Sequence, residues 1–376
     1  MNVAYFSNQF AANQGHGIAR YAHQLFDELS LLPEISITPV AAWSNHSDDK
    51  KNELTQQTGL RLLPWGRLGT SVSWTFLNWP PLEYWMPEAI DVVHAVSLGY
   101  PISTNKPYVV TIHDLGPLTH PEFFSNTNPW VMKRCLQQAI RKADAFICVS
   151  QSSADELESY VATRIAERIH VVHEGVDSLF WSKPDRDSFG TIMDLPQSDV
   201  PYILTVGKIS PRKNITRVIE AFTKIIDTIP HHLVLVGGNG WDTDEVMKKI
   251  SCSTSIKKRI HLAGYVSDIQ LHALYSSASL YVHPSLYEGF GLPVLEAMAA
   301  GCPVVTSAMS SLPEVAGNAA LFVDPIDVNA IAERIQEVCQ NSITASELIE
   351  KGRQRAALFT WEQCAKRVAS VYKEIV

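Results

Sequence analysis

The stretch from His283 to Gly301 reads HPSLYEGFGLPVLEAMAAG. The apolar residues from Leu280 onward predict a strand that ends at His283, and the glycines beyond it predict a tight turn. Pro293 suits the first position of a helix, and Gly301 suits a left-handed helix stop. The stretch is therefore typical of a strand–turn–helix unit whose helix start offers free N–H groups to an anion.

Two glutamates stand in this stretch, Glu288 in the turn and Glu296 in the helix, with seven residues between them. Carboxylates are unsuited to binding an anion but accept hydrogen bonds well, so we expect them to bind the hydroxyl groups of a sugar and a ribose. Gly289 and Gly291 would let the backbone approach that ligand closely. The alternative is that Glu296 is a first-turn residue favoured by the helix dipole and Glu288 a solvated loop charge.

A second segment, VGKISPRKN at residues 206–214, places Lys208, Arg212 and Lys213 between a predicted strand and a predicted helix. Cations at the carboxyl end of a strand suit a nucleotide diphosphate, because two of them can stabilise a leaving diphosphate as its charge develops. The alternative is a solvated loop in which Asn214 only caps the helix.

Short β-branched runs alternate with amphipathic helical patterns along the chain, which is typical of βαβ units and parallel sheets. Residues 174–200 lack periodicity and are rich in Gly, Pro and Asp, so we expect a join there. Ligands of open α/β sheets bind at the carboxyl ends of the strands, so a cleft between two such domains is the expected site.

The composition excludes several classes of protein. Of 376 residues, 46% are hydrophobic and 19% charged, which excludes a disordered chain, and the net charge of −8 argues against a nucleic-acid partner. No apolar stretch approaches the ~20 residues of a membrane helix, and no leader pattern precedes the first strand. Six cysteines without a CxxC pair favour a reduced, cytoplasmic protein. No clustered Asp and His residues have metal-ligand spacing, so no metal is expected.

The His283–Gly301 stretch resembles the EX7E signature of retaining glycosyltransferases of family 4. The resemblance implies the α/β fold called GT-B, in which two Rossmann-like, doubly wound parallel-sheet domains face each other across a cleft. The expected bounds are 1–178 for the acceptor domain, 179–358 for the nucleotide-sugar domain, and 359–376 for a helix that crosses back. The implied catalytic residues are His113, Lys213 and Glu288. The implied donor-binding residues are Gly15, Gly17, Lys208, Arg212, Lys213, Val266, Glu288, Gly289, Phe290, Gly291, Leu292 and Glu296.

Three elements of the first half extend the resemblance. The glycine loop at residues 14–18 opens a helix and resembles the loop that closes over the donor phosphate in this family. His113 and Asp114 open a stretch that resembles the HDL…HPEFF element of bacterial mannosyltransferases. The resemblance implies that His113 hydrogen-bonds the reacting sugar and orients the acceptor, and that Asp114 holds the imidazole or caps the next turn. The HEGVD stretch at residues 173–177 resembles the turn at the domain junction, which implies a hinge role.

The resemblance further implies transfer of a hexose from a nucleoside diphosphate sugar to a hydroxyl of a glycan or lipid-linked glycan, with retention and without a metal. Mannose from GDP-mannose is the expected donor, in bacterial surface polysaccharide synthesis. Four alternatives stay open: a UDP-sugar-dependent glycosyltransferase, a nucleotide-sugar epimerase of the same fold, a glycosidase, and a non-catalytic sugar-binding protein.

Five of the nine tryptophans fall between Trp43 and Trp85. Trp74 and Trp79 lie there in amphipathic sequence with arginines nearby, and tryptophan prefers membrane interfaces. We therefore expect this segment to face the acceptor or to make a peripheral contact with the inner face of the membrane. The alternative is that the rings pack under the first sheet or stack on acceptor sugars.

Overall fold

The computed structural model describes every residue except 12–16, 44–46, 125–128, 162–163, 186–191, 193–194 and 196–199. The chain divides into two compact units. Unit 1 comprises Met1–Gly175 together with Trp361–Val376, and unit 2 comprises Val176–Thr360. Each unit is built on one parallel sheet, as the alternation of strands and helices predicts.

Unit 1 contains a seven-stranded sheet in the order β3-β2-β1-β4-β5-β6-β7. Its strands are β1 (Asn2–Phe6), β2 (Ser36–Ala41), β3 (Arg61–Leu62), β4 (Val92–Ala95), β5 (Tyr108–Ile112), β6 (Ala145–Cys148) and β7 (Ile169–Val171). The helices that follow them in the chain are α1 (Gly17–Ser30), α2 (Asp48–Thr58), α3 (Gly66–Phe76), α4 (Gly116–Thr119), α5 (Pro129–Lys142) and α6 (Gln151–Tyr160).

Unit 2 contains a six-stranded sheet in the order β10-β9-β8-β11-β12-β13. Its strands are β8 (Tyr202–Val206), β9 (His232–Val236), β10 (Ile260–Gly264), β11 (Leu280–His283), β12 (Val304–Ser307) and β13 (Leu321–Val323). Its helices are α7 (Ile215–Ile225), α8 (Thr243–Ser251), α9 (Thr254–Arg259), α10 (Asp268–Ser277), α11 (Leu292–Ala299), α12 (Leu312–Ala316), α13 (Val328–Gln340) and α14 (Ser342–Ala356). The last helix, α15 (Trp361–Ile375), belongs to unit 1.

The central strands of both sheets are buried along their whole length, as β5 and β11 show. Such strands read as continuous apolar runs because helices cover both faces of a parallel sheet. In each sheet the strand order reverses once, between β1 and β4 in unit 1 and between β8 and β11 in unit 2. Ligands of open α/β sheets bind beyond the carboxyl ends of the strands at such switch points.

Trp74 lies in the core of unit 1, and the expectation that it forms a binding surface is wrong. Its ring is fully buried, and its indole Nε1–H donates to the carbonyl oxygen of Pro80 at 2.7 Å. It packs near Phe6 and Tyr100, with ring centres 5.9 and 6.1 Å away. Burial of a large indole with its N–H satisfied stabilises the core, and Trp79, by contrast, is 56% exposed.

A buried polar chain ties α15 to the sheet of unit 1. The Tyr372 hydroxyl lies 2.6 Å from His94 Nδ1, and His94 Nε2 lies 2.8 Å from Thr111 Oγ1. The Tyr21 hydroxyl completes the chain at 3.3 Å from Thr111 Oγ1. Burial, aided by repulsion from His113, lowers the pKa of His94 to about 3, so this imidazole is neutral in the folded protein.

We expect His94 to make unit 1 less stable in acid. Unfolded histidine titrates near pH 6.5, whereas the pKa of folded His94 is about 3. The contribution of His94 to the free energy of unfolding is therefore complete above pH 6.5 and is lost as the pH falls toward 3. Between those values it adds about 1.4 kcal/mol per pH unit to the slope of stability against pH. His94→Gln should flatten that slope in urea titrations near pH 5, whereas Tyr372→Phe, which keeps the imidazole, should retain it. An unchanged slope in His94→Gln would contradict the assignment.

Candidate functional site

Two loops meet at the switch point of unit 2, residues 207–214 after β8 and residues 284–291 after β11. Asn214 fastens them together: its side-chain amide donates to the carbonyl oxygens of Pro284 at 2.9 Å and Pro325 at 2.7 Å. Asn214 itself has a left-handed backbone with φ of 59° and makes no side-chain cap to α7. The alternative of a solvated loop that Asn214 only caps is therefore wrong.

The loop after β8 also packs tightly against the loop after β9. A Cβ atom on Gly237 would lie 2.2 Å from the carbonyl oxygen of Gly207, and one on Gly240 would lie 1.8 Å from that of Ile209. Only glycine fits at such a distance from backbone, and the φ of Gly237, +141°, also favours glycine. These glycines therefore fix the path of the loop that carries the cations.

Glu288 lies at the centre of a buried group of polar side chains and is only 7% exposed. Its Oε1 accepts hydrogen bonds from Lys213 Nζ at 2.5 Å and from Ser285 Oγ at 2.8 Å. His283 Nε2 lies 3.0 Å from the same oxygen, and Arg212 Nη1 donates to Oε2 at 2.8 Å. We call these five residues the Glu288 cluster. The alternative that Glu288 is a solvated loop charge is wrong.

The protonation states of the Glu288 cluster follow from burial and from the neighbouring charges. Burial alone would raise the pKa of Glu288, but Arg212 and Lys213 hold it well below its usual range. Burial lowers the pKa of Lys213 to about 8, although Glu288 opposes that shift. Burial and the charge of Lys213 lower the pKa of His283 to about 4. At neutral pH the cluster therefore holds two cations and one carboxylate, a net positive charge that favours an anion.

The turn that carries Glu288 is held by its backbone. The Ser311 hydroxyl donates to the carbonyl oxygens of Glu288 at 3.0 Å and Phe290 at 2.7 Å. Gly291 has φ of +110°, and a Cβ there would lie 2.9 Å from Leu312 Cδ2. Gly289 is half-buried in this turn, whereas Phe290 is buried, with its ring centre 6.0 Å from that of Phe359. A ligand at this turn would therefore meet backbone more than side chains.

Glu296 lies inside α11, whose first residue, Leu292, is also buried. Glu296 is 3% exposed, and the Tyr275 hydroxyl donates to its Oε2 at 3.4 Å. The first turn of α11 contains no acidic residue, so the alternative of a first-turn glutamate that only complements the helix dipole is wrong.

Two other predicted donor-binding residues lie apart from the Glu288 cluster. Lys208 is exposed, and its ammonium group lies 5.8 Å from the centre of the Trp241 ring. Val266 is buried just before α10, whose start is fixed by a capping box between Ser267 and Gln270. Of the three predicted phosphate cations, the structure therefore brings Arg212 and Lys213 together and places Lys208 against an aromatic ring.

His113 lies in unit 1 at the carboxyl end of β5. Its Nδ1 is 3.4 Å from Glu174 Oε1, and its Nε2 is 3.0 Å from the carbonyl oxygen of Val96. The Tyr21 ring packs edge-on against the imidazole with ring centres 4.7 Å apart. Asp114 Oδ1 accepts from the backbone N–H of Gly116 at 3.0 Å, which is the turn-capping role of the two expected for it.

The structure adds residues that sequence reasoning missed. Glu174 was expected only in a hinge, yet it is 4% exposed and contacts the His113 imidazole. His283 and Ser285 were treated as strand end and turn, yet both contact Glu288. The signal available was a polar residue at the end of an apolar strand or within three residues of it, since His283 ends β11, Ser285 follows it by two residues, and Glu174 follows β7 by three. Gly17 is exposed at the start of α1, and the predicted Gly15 lies outside the described residues.

In chemical terms, unit 2 offers a buried lysine and a half-buried arginine beside two helix starts. Such an arrangement can stabilise negative charge that develops on a phosphate group. Within the described part of the chain, no group of three or more His, Cys, Asp or Glu side chains is placed to hold a metal ion. No described helix is both long and apolar enough to span a membrane.

Comparison with known families defines the class of protein. Residues 194–355 match the model of glycosyl transferases group 1, and residues 15–178 match the model of glycosyltransferase family 4. The two matches lie in succession and together take in most of the chain. The chain is therefore a glycosyltransferase with the GT-B fold, in which a glycosyltransferase family 4 domain is followed by a domain of glycosyl transferases group 1.

The chain is also similar to individual proteins of known name. The O-antigen chain mannosyltransferase B of Escherichia coli is 29% identical over 380 residues, which cover 95% of this chain and 96% of the relative. The sucrose-phosphate synthase of Thermosynechococcus elongatus has a TM-score of 0.78 at 22% identity, with 99% of this chain and 98% of that chain covered. The HepE protein of Anabaena, solved with UDP and glucose, has a TM-score of 0.74 at 18% identity, with 100% of both chains covered. At these identities the two solved structures support the fold alone.

Proposed function

We propose that this glycosyltransferase transfers mannose from GDP-mannose to a hydroxyl of a glycan or lipid-linked glycan, with retention and without a metal. The process would be the synthesis of a bacterial surface polysaccharide at the cytoplasmic side of the membrane. The observation that carries the proposal is the contact of half-buried Arg212 and buried Lys213 with Glu288 at the switch point of unit 2. Mannose is supported by the E. coli relative, whose name states that sugar and an O-antigen chain.

The cations would act on the leaving group. As the bond between the sugar C1 and the phosphate oxygen breaks, negative charge grows on the diphosphate, and Arg212 and Lys213 would stabilise it in place of a metal. The acceptor oxygen then bonds C1 on the face that the diphosphate leaves, and its proton passes to a phosphate oxygen. Glu288, released from part of its cation contacts, would accept a hydrogen bond from a sugar hydroxyl.

His113 would serve the acceptor side of the reaction. Glu174 and the Val96 carbonyl hold its ring from two directions, so the imidazole is oriented before substrate binds. In that role it would exchange one of these two contacts for a hydrogen bond to the reacting sugar and orient the acceptor hydroxyl. The exposed Gly17 at the start of α1 and the neighbouring Gly15 would contribute backbone N–H groups to the donor phosphate.

A nucleotide screen tests the proposal first. A ligand at 100 times its Kd adds about 2.7 kcal/mol of stability, so GDP should raise the melting temperature visibly, and UDP, ADP and dTDP should raise it less. Product formation from GDP-mannose, measured with and without EDTA, then tests transfer, and NMR of the new linkage tests retention. A rise of the melting temperature with UDP alone would indicate a UDP-sugar as the donor instead of GDP-mannose. Conversion of the donor without acceptor would indicate an epimerase, and hydrolysis of an aryl glycoside would indicate a glycosidase.

Glu296 is expected to bind the ribose of the donor. Glu296→Gln removes a charged acceptor, so it should weaken the binding of free GDP by about 10-fold to 100-fold while sugar preference stays the same. Isothermal titration calorimetry with GDP measures the change. Glu333→Gln, an exposed glutamate on α13, is the matched control and should leave the Kd unchanged. An unaltered Kd in Glu296→Gln would remove the ribose role.

A further inference from the structure

Helix α3 in unit 1 presents its apolar side chains to solvent. Leu68, Val72 and Phe76, spaced by four residues along one face, are 79%, 57% and 66% exposed. The opposite face buries Thr70 and Ser73 together with Trp74. A surface helix of a globular protein normally has the reverse arrangement, with the polar stripe outward. This exposed stripe has no counterpart to pack on within the described part of unit 1, and it indicates a contact with something outside the chain.

Helix α5 continues the same surface. A groove of about 510 Å³ runs between α3 and α5, with Val72 and Phe76 on one wall and Trp130, Val131 and Arg134 on the other. Gln138 fixes the two helices relative to each other by donating to the carbonyl oxygen of Trp74 at 3.3 Å. Apolar side chains at the margin of this surface are also exposed, namely Leu77, Trp79 and Trp130 at 71%, 56% and 57%. We call the exposed residues of α3 and α5 with this margin the α3–α5 surface.

The charge of the α3–α5 surface is opposite to that of the whole chain. The chain carries a net charge of −8, yet residues 59–82 and 129–142 contain six cations and no acid. The cations are Arg61, Arg67, Lys133, Arg134, Arg141 and Lys142. The next acid along the chain, Glu83, is held by hydrogen bonds to Thr104 and Asn105. An apolar ridge edged by cations and by exposed tryptophans is complementary to a layer of apolar chains beneath anionic head groups.

We propose that the α3–α5 surface binds the face of an anionic lipid bilayer, with the stripe of α3 inserted below the head groups and the cations of α5 on the phosphates. A bilayer fits better than a protein partner because the groove beside the apolar stripe is lined by Arg134, Arg141 and Lys142 and by no acidic side chain. This proposal relocates the membrane contact from the buried Trp74 to the outer face of the same helix. It does not depend on the identity of the donor sugar.

Vesicle flotation tests the proposal with the full chain. Wild type should bind vesicles that contain phosphatidylglycerol and should bind pure phosphatidylcholine vesicles much less. In 0.5 M salt the anionic binding should fall at least about 10-fold, because salt screens exposed charges. The triple variant Leu68→Ser, Val72→Ser, Phe76→Ser should lower the partition coefficient by about 10-fold or more. The triple variant Lys133→Gln, Arg134→Gln, Arg141→Gln should lower it by about 100-fold.

Matched controls separate this surface from general loss of apolar or charged residues. Leu31, Ile343 and Leu358 are exposed elsewhere, so their triple replacement by Ser should leave flotation within about 2-fold of wild type. The control for charge replaces three exposed lysines of unit 2 by Gln, namely Lys248, Lys257 and Lys258, and it should likewise leave flotation within about 2-fold of wild type. Every variant should keep the melting temperature of wild type and its rise with the nucleotide that stabilises wild type, which shows that the fold and the donor site survive. Equal binding of wild type to both vesicle types would overturn the proposal. So would unchanged binding in the Ser triple variant of α3 or in the Gln triple variant of α5. A dimer in light scattering that the α3 variant abolishes, without flotation, would assign the surface to a second copy instead.

Discussion

Replacing Lys213 with methionine is expected to lower kcat/KM by about 10²-fold to 10³-fold, the scale for loss of one preorganised charge stabiliser. Methionine keeps the buried aliphatic stem and removes only the ammonium group. That group lies 2.5 Å from Glu288 Oε1 and would face the leaving diphosphate. Because the charge acts most strongly in the transition state, the loss should appear mainly in kcat. Steady-state kinetics with the donor that supports turnover would measure it.

The matched control is Lys224→Met, an exposed lysine on the outer face of α7. It removes the same charge from the same unit, so its kcat/KM should remain near that of wild type. Melting curves of both variants show whether loss of activity reflects loss of fold. Near wild-type turnover by a folded Lys213→Met variant would remove Lys213 from the diphosphate site and with it the central argument for the donor.

The main elements of both sheets could be predicted because their signals are local. The strand Leu280–His283 is a short apolar run, and its bounds match the predicted ones. Helix α2 was not predicted because DDKKNELTQQT has no apolar stripe to give it a period. Strand β3 was also missed, because two residues, Arg61 and Leu62, are too short for an alternating pattern.

The Glu288 cluster shows what the sequence could and could not specify. Its residue types and its turn could be predicted, because a glycine-rich turn after a strand and a loop with several cations each have a local sequence pattern. The pairing of Glu288 with Arg212 and Lys213 could not be predicted, since more than seventy residues separate Glu288 from the two cations. Only the strand order, which puts β8 beside β11, brings those loops together.

Solvent exposure was the least predictable property. Trp74 and Trp79 look alike in sequence, yet one is fully buried and the other 56% exposed. Trp74 lies on the face of α3 that packs into the core, whereas Trp79 lies beyond the end of α3. The apolar residues on both faces of that helix leave the buried face open in the sequence. Glu174 was missed for a related reason, because its partner His113 lies on another strand end.

The charges of Glu288 and Lys213 are expected to depend on each other for stability. Burial lowers the pKa of Lys213 to about 8 even with Glu288 beside it, so the ion pair does not fully offset the loss of hydration. Glu288→Gln leaves Lys213 buried without a carboxylate, and we expect it to destabilise unit 2 by about 3–5 kcal/mol. Lys213→Met leaves Glu288 with Arg212, which should cost less, about 1–3 kcal/mol.

A double-mutant cycle separates folding from function at this cluster. The combined variant Glu288→Gln, Lys213→Met removes both charges. Its loss of unfolding free energy should therefore be smaller than the sum of the two single losses, by a coupling of about 1–3 kcal/mol. Its activity should nevertheless stay at least about 10²-fold below wild type, since no charge is restored to the leaving group. Urea denaturation and kinetics on the same four proteins measure both quantities. Additive stabilities would show that the two side chains do not interact, and recovered activity in the double variant would show that the cluster serves the fold. The expected combination, a partial recovery of stability without recovery of activity, would mean that the charges are kept at this site for the ligand they bind.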